Sequence, residues 1–403
     1  MTTSAFPAPD TPTTPTRLTY ARARLWLGIS GVGSAVVAAS TVLAFDLPAR
    51  LLPDSASQPL FDALGALLPI FVLSMLLFLP FDVMGGAVVV RARPSVALFL
   101  SRWARGAAVQ LVVWLVTAAV LMSAARVGGA PAAIAAFALL QLLLAELRAP
   151  LAHVIASFVS EPETPRVREA AERAGLDSSR IRVVATPDEG FVGGWNGIAP
   201  RILVFPSRWL ELPDDALVAA LRRRRIIAES GAHRRGVLGA IAWNTLGIAL
   251  VLALSAADLA TAAGVLTLAA GMTLWAFIGV LVLPTPSRAA VLAADAAAAR
   301  ESDEAAISDV ILRLDRWQDN EARRSAGVET IFHPVPSRMS RVERLRAAMN
   351  TRRTGVDASI GVWTAHHLAR HALWLGWGSL SPLSRLVHCN VGRPALWAIL
   401  PGD

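Results

Sequence analysis

The chain has 403 residues, of which 54% are hydrophobic and only 17% charged. That balance excludes an ordinary water-soluble globular protein and points to membrane insertion. The formal charge is +8 and all 38 basic side chains are arginine. Arginine flanking membrane spans explains this charge, and no nucleic-acid-reading motif accompanies it, so nucleic acid is not an expected partner. The lone cysteine, Cys389, excludes an internal disulfide framework and a thiolate zinc cluster.

In chain order, residues 1–24 are rich in Thr and Pro and lack the charged-then-apolar layout of a signal peptide, so they read as a disordered tail. A helix needs about 20 apolar residues to cross the hydrocarbon core. Six stretches qualify: 25–45, 62–82, 107–126, 130–147, 237–256 and 262–284. The first four form a membrane unit over 25–147, and the last two form a hairpin over 237–284. Arg17, Arg22 and Arg24 precede the first span, and Arg91, Arg93, Arg102 and Arg105 lie between the second and third. The first-to-second loop has only Arg50. The positive-inside rule then makes the N-terminus cytoplasmic in a multi-pass protein of the cell's inner, cytoplasmic membrane. An even number of spans places the polar blocks at 148–236 and 285–353 on the same side.

The block at 148–236 reads as a small α/β unit. "PETPRVREAAERAGL" is a helix closed by Gly175, and "IRVVA" and "RILVF" are short β-branched strands. Between them lies turn-rich "DEGFVGGWNGIAP", with the strong turn pair Asn196-Gly197. Asp214 and Asp215 supply the cap and first-turn carboxylates of a helix carrying four consecutive arginines, Arg222 to Arg225. The block at 285–353 is mostly helical, and 354–403 reads as an amphipathic, interfacial segment. The fold class is therefore a mainly α polytopic membrane protein with a small α/β plus helical domain on one side.

At "GGWNGIAPRILVFPSRWLELPDDALVAAL" the chain resembles the HtpX and CAAX-prenyl-protease family of membrane zinc metallopeptidases. "SRAAVLAAD", Ser287 to Asp295, is similar to that family's later helix, and His333-Pro334 to its His-Pro. The resemblance implies a metallopeptidase-like domain over about 160–346, with Asp295 and His333 as retained positions. It also implies a peptide-binding edge by strand addition, at Arg201, Ile202, Leu203, Val204 and Phe205 or in the turn before them.

The chemistry departs from the family. An HExxH helix presents two imidazoles at i and i+4 to one zinc beside a glutamate base, and a later glutamate completes the ligand set. Carried over, the histidine positions fall at Arg223 and Ile227, the base at Arg224 and the third ligand at Val291. Guanidinium has no lone pair to donate, and Ile and Val have no donor atoms. The result is independent of register, because none of the seven histidines is followed by Glu. No zinc or other cofactor is expected.

Four consecutive helical arginines sweep about 300° of azimuth and cannot share one solvated face. Either they snorkel to solvent or lipid phosphate, or Arg223, on the stripe with Ala216, Ala219, Ala220 and Ile227, pairs with Asp295 in place of a metal bridge. His367 and His371 have the spacing of a metal pair, yet Leu368 stands where a catalytic glutamate would be needed. Their Trp-rich segment reads as an interfacial helix. His233 reads as an anchor at the mouth of the fifth span. Adjacent His388 and Cys389 carry no productive pairing.

Two functional classes remain. One is a pseudoprotease that binds membrane-protein or peptide segments within the lipid bilayer. The other is an active membrane metalloendopeptidase with non-standard ligands drawn from the C-terminal histidines. Recognition of anionic lipid by the arginines is a third reading. The oligomeric state is not legible.

Overall fold

The computed structural model describes residues 19–89, 95–156, 159–186, 191–318, 320–353 and 365–386. Most of the expected tail, together with Arg91, Arg93, His388 and Cys389, lies outside the described residues. The chain is mainly helical with one small sheet.

Helix α1 (Tyr20–Ala44) opens at Thr19, whose hydroxyl accepts from the amide of Arg22. The tail reading of 20–24 is corrected accordingly: this capped first turn already belongs to a helix. A short α2 (Leu47–Leu51) follows, and α3 (Leu60–Val83) runs on through a π-helical turn at Met84–Val88. Helix α4 (Val96–Glu146) is broken at Gly128 and Gly129, and Gly129 has φ 65°. A straight helix would separate Thr117 from Gln141 by about 36 Å. Yet Thr117 Oγ1 donates to Gly378 O at 3.1 Å, and Gln141 Nε2 donates to Leu375 O at 3.1 Å and to Ser379 Oγ at 3.3 Å. The two arms of α4 therefore fold back on each other at the glycine pair.

Next come α5 (Arg148–Ala156), β1 (Val159–Ser160), α6 (Pro165–Ala174), β2 (Ile181–Ala185), β3 (Gly194–Asn196), β4 (Ile202–Pro206) and α7 (Asp214–Glu229). The hairpin is α8 (Ala232–Ser255) and α9 (Ala262–Val282). Then follow α10 (Pro284–Glu301), α11 (Glu304–Trp317), α12 (Ala326–Phe332), α13 (Arg338–Arg353), α14 (Leu368–Trp377) and α15 (Leu383–Leu386).

Among the described residues, five helices are long and apolar enough to cross a membrane: α1, α3 with its π turn, α4, α8 and α9. Six spans were expected. The third and fourth occur as the two arms of α4, so the difference is one of continuity across Gly128–Gly129. Leu73, Val112 and Leu139 remain exposed on these helices, an arrangement that water penalises and lipid does not.

The sheet has the order β1-β2-β4-β3, with β2 and β4 parallel and both outer pairs antiparallel. Gly175 closes α6 at φ 74°, as the sequence suggests, and the Thr164 side chain caps its start. Val183, Leu203 and Phe205 pack with Ala171 of α6 and Leu217 and Leu221 of α7 in one core. Phe205 stacks on Trp209 with ring centroids 5.1 Å apart. This core holds α7 against the sheet.

Candidate functional site

The arginine helix starts after Pro213, which makes no side-chain cap bond. Asp214 and Asp215 both lie inside its first turn rather than at the cap, where their charge complements the helix dipole. They also pair outward, Asp214 with Arg166 at 2.7 Å and Asp215 with Arg173 at 2.8 Å.

The four arginines diverge around the helix as 100° per residue requires. Arg222 donates to Glu301 O, Ser302 Oγ and Arg173 O, each at 3.0 Å. Arg225 pairs with Glu301 and lies 3.6 Å from the Glu229 carboxylate. Arg224 is buried with its guanidinium 5.6 Å from the Trp209 ring centroid, and its backbone carbonyl accepts from Trp195 Nε1 at 2.8 Å. Arg223 is buried and donates through Nε to Asp295 Oδ1 at 2.6 Å. The reading in which all four snorkel outward does not hold for Arg223 and Arg224, because the sheet core and α10 cover that side of α7.

A third residue completes the cluster. Arg341 of α13 grips Asp295 with both edges of its fork, Nε to Oδ2 at 2.7 Å and Nη2 to Oδ1 at 2.8 Å. Asp295 is only 1% exposed. The carboxylate thus joins α7, α10 and α13. Arg341 was not singled out from sequence because α13 carries several arginines. The available signal was its place on the stripe with Val342 and Leu345, both buried.

The remaining family positions are apolar and enclosed: Ile227 is 1% exposed and Val291 fully buried. Three carried-over ligand positions therefore supply a cation and two aliphatic groups, while both oxygens of the nearest carboxylate are taken by guanidinium. This donor set does not fit zinc. His333 is buried at the end of α12, with its amide 3.4 Å from Glu329 O. Ser287 Oγ donates to Leu283 O at 2.8 Å and accepts from Ala369 N at 2.9 Å, tying α14 to α10.

The proposed peptide edge is corrected. Ile202, Leu203, Val204 and Phe205 belong to β4, an interior strand hydrogen-bonded on both sides by β2 and β3. Arg201 precedes that strand, and its carbonyl accepts from Arg180 at 3.1 Å. The outer strands are β1 and β3, and β3 lies in the glycine-rich stretch read as a turn. Three residues between glycines give too short a period-2 signal to be read as a strand. The end of β3 is already engaged: Asn196 Oδ1 accepts from Ala149 N at 3.0 Å, Ile198 N donates to Glu146 Oε1 at 2.9 Å, and His233 Nε2 donates to Gly197 O at 2.8 Å.

The interfacial reading of α14 is also corrected. His366, His367, Ala369, His371, Trp374 and Leu375 are all buried, and α14 packs into the bundle. Its backbone finds polar partners there. Besides the Ser287 bond, Asn244 Nδ2 donates to Ala372 O at 3.2 Å and to Gln141 Oε1 at 3.1 Å. His367 adopts the left-handed conformation ahead of the helix, at φ 55°. It therefore does not share a helical face with His371, and their ring centroids are 6.4 Å apart.

Around α14 the structure gathers residues the sequence kept separate. The His233 and His371 rings meet at 5.3 Å and those of His366 and His367 at 3.9 Å. Fully buried Arg148 donates through Nη1 to His371 Nδ1 at 2.7 Å. Burial pulls the Arg148 guanidinium down to about 9, partly opposed by Glu146, so it stays charged at neutral pH. An arginine can only donate, so His371 Nδ1 accepts and the ring proton sits on Nε2. That tautomer withholds the Nε2 lone pair from a metal. Among the described residues, no group of three or more His, Cys, Asp or Glu side chains is placed to hold a metal ion.

No protein-family model matches this chain, and no curated protein matches it in sequence. The resemblance to the HtpX and CAAX-prenyl-protease family therefore rests on the order and spacing of its motifs.

Proposed function

We propose that the chain is a membrane-embedded relative of the HtpX-type metallopeptidases that binds membrane-protein or peptide segments without cleaving them. One observation carries this reading. The Asp295 carboxylate is saturated by Arg223 and Arg341, where the family resemblance would put a zinc centre. A buried ion cluster can link α7, α10 and α13, but it offers no electron pair to a metal and no base to activate water. In this reading the N-terminus and the sheet-bearing domain face the cytoplasm, following the arginine distribution.

The alternative, an active metalloendopeptidase with unusual ligands, draws support from the meeting of His233, His366, His367 and His371. The Arg148 hydrogen bond counts against it, since it holds His371 in a tautomer unsuited to ligation through Nε2. Recognition of lipid phosphate by the arginine run is weakened by the burial of Arg223 and Arg224.

The test is a paired measurement on the full chain in detergent or nanodiscs with a library of membrane-protein segments. Retention of particular segments, with no cleavage products in the presence of added zinc, supports the proposal. Zinc-dependent cleavage refutes it.

A further inference from the structure

His371 is fully buried on α14, and its Nδ1 is the acceptor for Arg148 Nη1 at 2.7 Å. Three further contacts that seat α14 are made to its backbone. Ala369 N donates to Ser287 Oγ, and the carbonyls of Ala372 and Leu375 accept from Asn244 and Gln141. Ser, Asn and Gln do not titrate, so these bonds persist as pH falls. The Arg148–His371 bond does not. A protonated imidazole carries hydrogen on both nitrogens, so Nδ1–H would meet a guanidinium N–H, cation against cation, out of reach of water.

The groups around His371 give an imidazolium no anion. Arg148 faces it from α5, His233 from α8, and His366 and His367 from the turn ahead of α14. Arg370 precedes it on α14, turned away by about 100°. Helix α9 packs on α14 and has no titratable side chain. On α10, Arg288 pairs with Glu329, and Asp295 is held by Arg223 and Arg341. By sequence α15 adds only another cation, Arg385. Glu146 of α4 offsets the charge of Arg148, and its carboxylate accepts from Ile198 N. Burial first, and Arg148 second, hold the His371 imidazole well below its ordinary range.

We infer that His371 is an acid-sensitive latch: α14 stays seated in the bundle while this imidazole is neutral, and proton uptake frees the helix. A histidine that protonates more readily outside its seat than inside it contributes stability that is complete above its ordinary value near 6.5. That stability is lost as pH falls below this value. One proton taken up on release favours the released state by about tenfold more at pH 5.5 than at pH 7.5. The inference uses nothing from the peptidase resemblance and would survive its failure.

The experiment is hydrogen–deuterium exchange of the full chain in detergent at about pH 7.5 and about pH 5.5. Rates are expressed as protection factors, which divide out the intrinsic effect of pH on exchange. Protection of α14, residues 368–377, should fall about tenfold over that interval while α3 and α9 keep theirs. His371→Asn retains an acceptor and takes up no proton, so its α14 should lose clearly less. His153→Asn, at an exposed position, should behave as wild type. The inference is overturned if wild-type α14 keeps its protection at the lower pH, or if α3 and α9 lose theirs with it. It is equally overturned if folded His371→Asn falls as far as wild type, or if His153→Asn abolishes the fall. If His371→Asn leaves α14 unseated even at the higher pH, the wild-type contrast between α14 and α9 decides alone.

Discussion

Arg223 and Asp295, 72 residues apart in sequence, meet at 2.6 Å with both side chains buried. Because Arg341 holds the same carboxylate, the three residues respond as a unit. Asp295→Asn strands two guanidiniums and should cost about 3–5 kcal/mol. Arg223→Met leaves the two-bonded Arg341–Asp295 pair and should cost clearly less. Arg223→Met combined with Arg341→Met strands the carboxylate and should cost more than the two single changes together. Denaturant unfolding in detergent measures all four proteins. Additive behaviour would show that the carboxylate does not couple the helices.

The approach of α14 to α8 depends on Gly236. A Cβ built there would lie 2.0 Å from the backbone oxygen of His366, which cannot move aside as a flexible side chain could. Gly236→Ala should therefore displace the start of α14 and destabilise the protein by roughly 1–3 kcal/mol or more. Gly33→Ala, in α1 with nothing within 4 Å, should be neutral or stabilising by up to about 1 kcal/mol. Melting temperatures of the two variants, with limited proteolysis of the C-terminal region, check the contrast.

Gln141 joins Leu375, Ser379 and Asn244 in a buried polar network. Hydrogen bonds between membrane helices are worth about 0.6–2 kcal/mol each. Gln141→Leu should accordingly lose about 1–2 kcal/mol or somewhat more. Gln141→Leu with Asn244→Leu should cost less than the sum of the singles, because the second change removes a partner already orphaned. A double-mutant cycle on unfolding free energy reads this directly.

These relationships mark how far the sequence could be read. Apolar length located the spans, and Gly175 marked the end of α6, because those signals are local. The fold-back at Gly128–Gly129 was visible as two spans for the same reason. The burial of α14 was not: its His and Arg residues mimic a headgroup-facing surface until Asn244, Gln141, Ser287 and Arg148 arrive from distant helices to satisfy it. β3 was missed because three residues cannot display a period. Arg341 was hidden among the other arginines of α13, set apart in the sequence only by its place beside Val342 and Leu345. Arg148, two residues past the end of α4, looks like an ordinary end-of-span arginine until His371 is seen beside it.

The arginine distribution predicts which ends face the cytoplasm. With Cys389→Ser as background, single cysteines at exposed Ser55 and Asp303 should differ in intact cells. Ser55→Cys should react with a membrane-impermeant maleimide, and Asp303→Cys only after permeabilisation. The reverse pattern would invert the topology.

The most direct test of the central claim is the metal content of the natively purified full chain, measured by elemental mass spectrometry after removal of loosely bound ions. A cluster of Arg223, Asp295 and Arg341 with Ile227 and Val291 beside it predicts far less than stoichiometric zinc, with no uptake on incubation with excess zinc. One tightly held zinc per chain, released when Asp295 is changed to Asn, would contradict it.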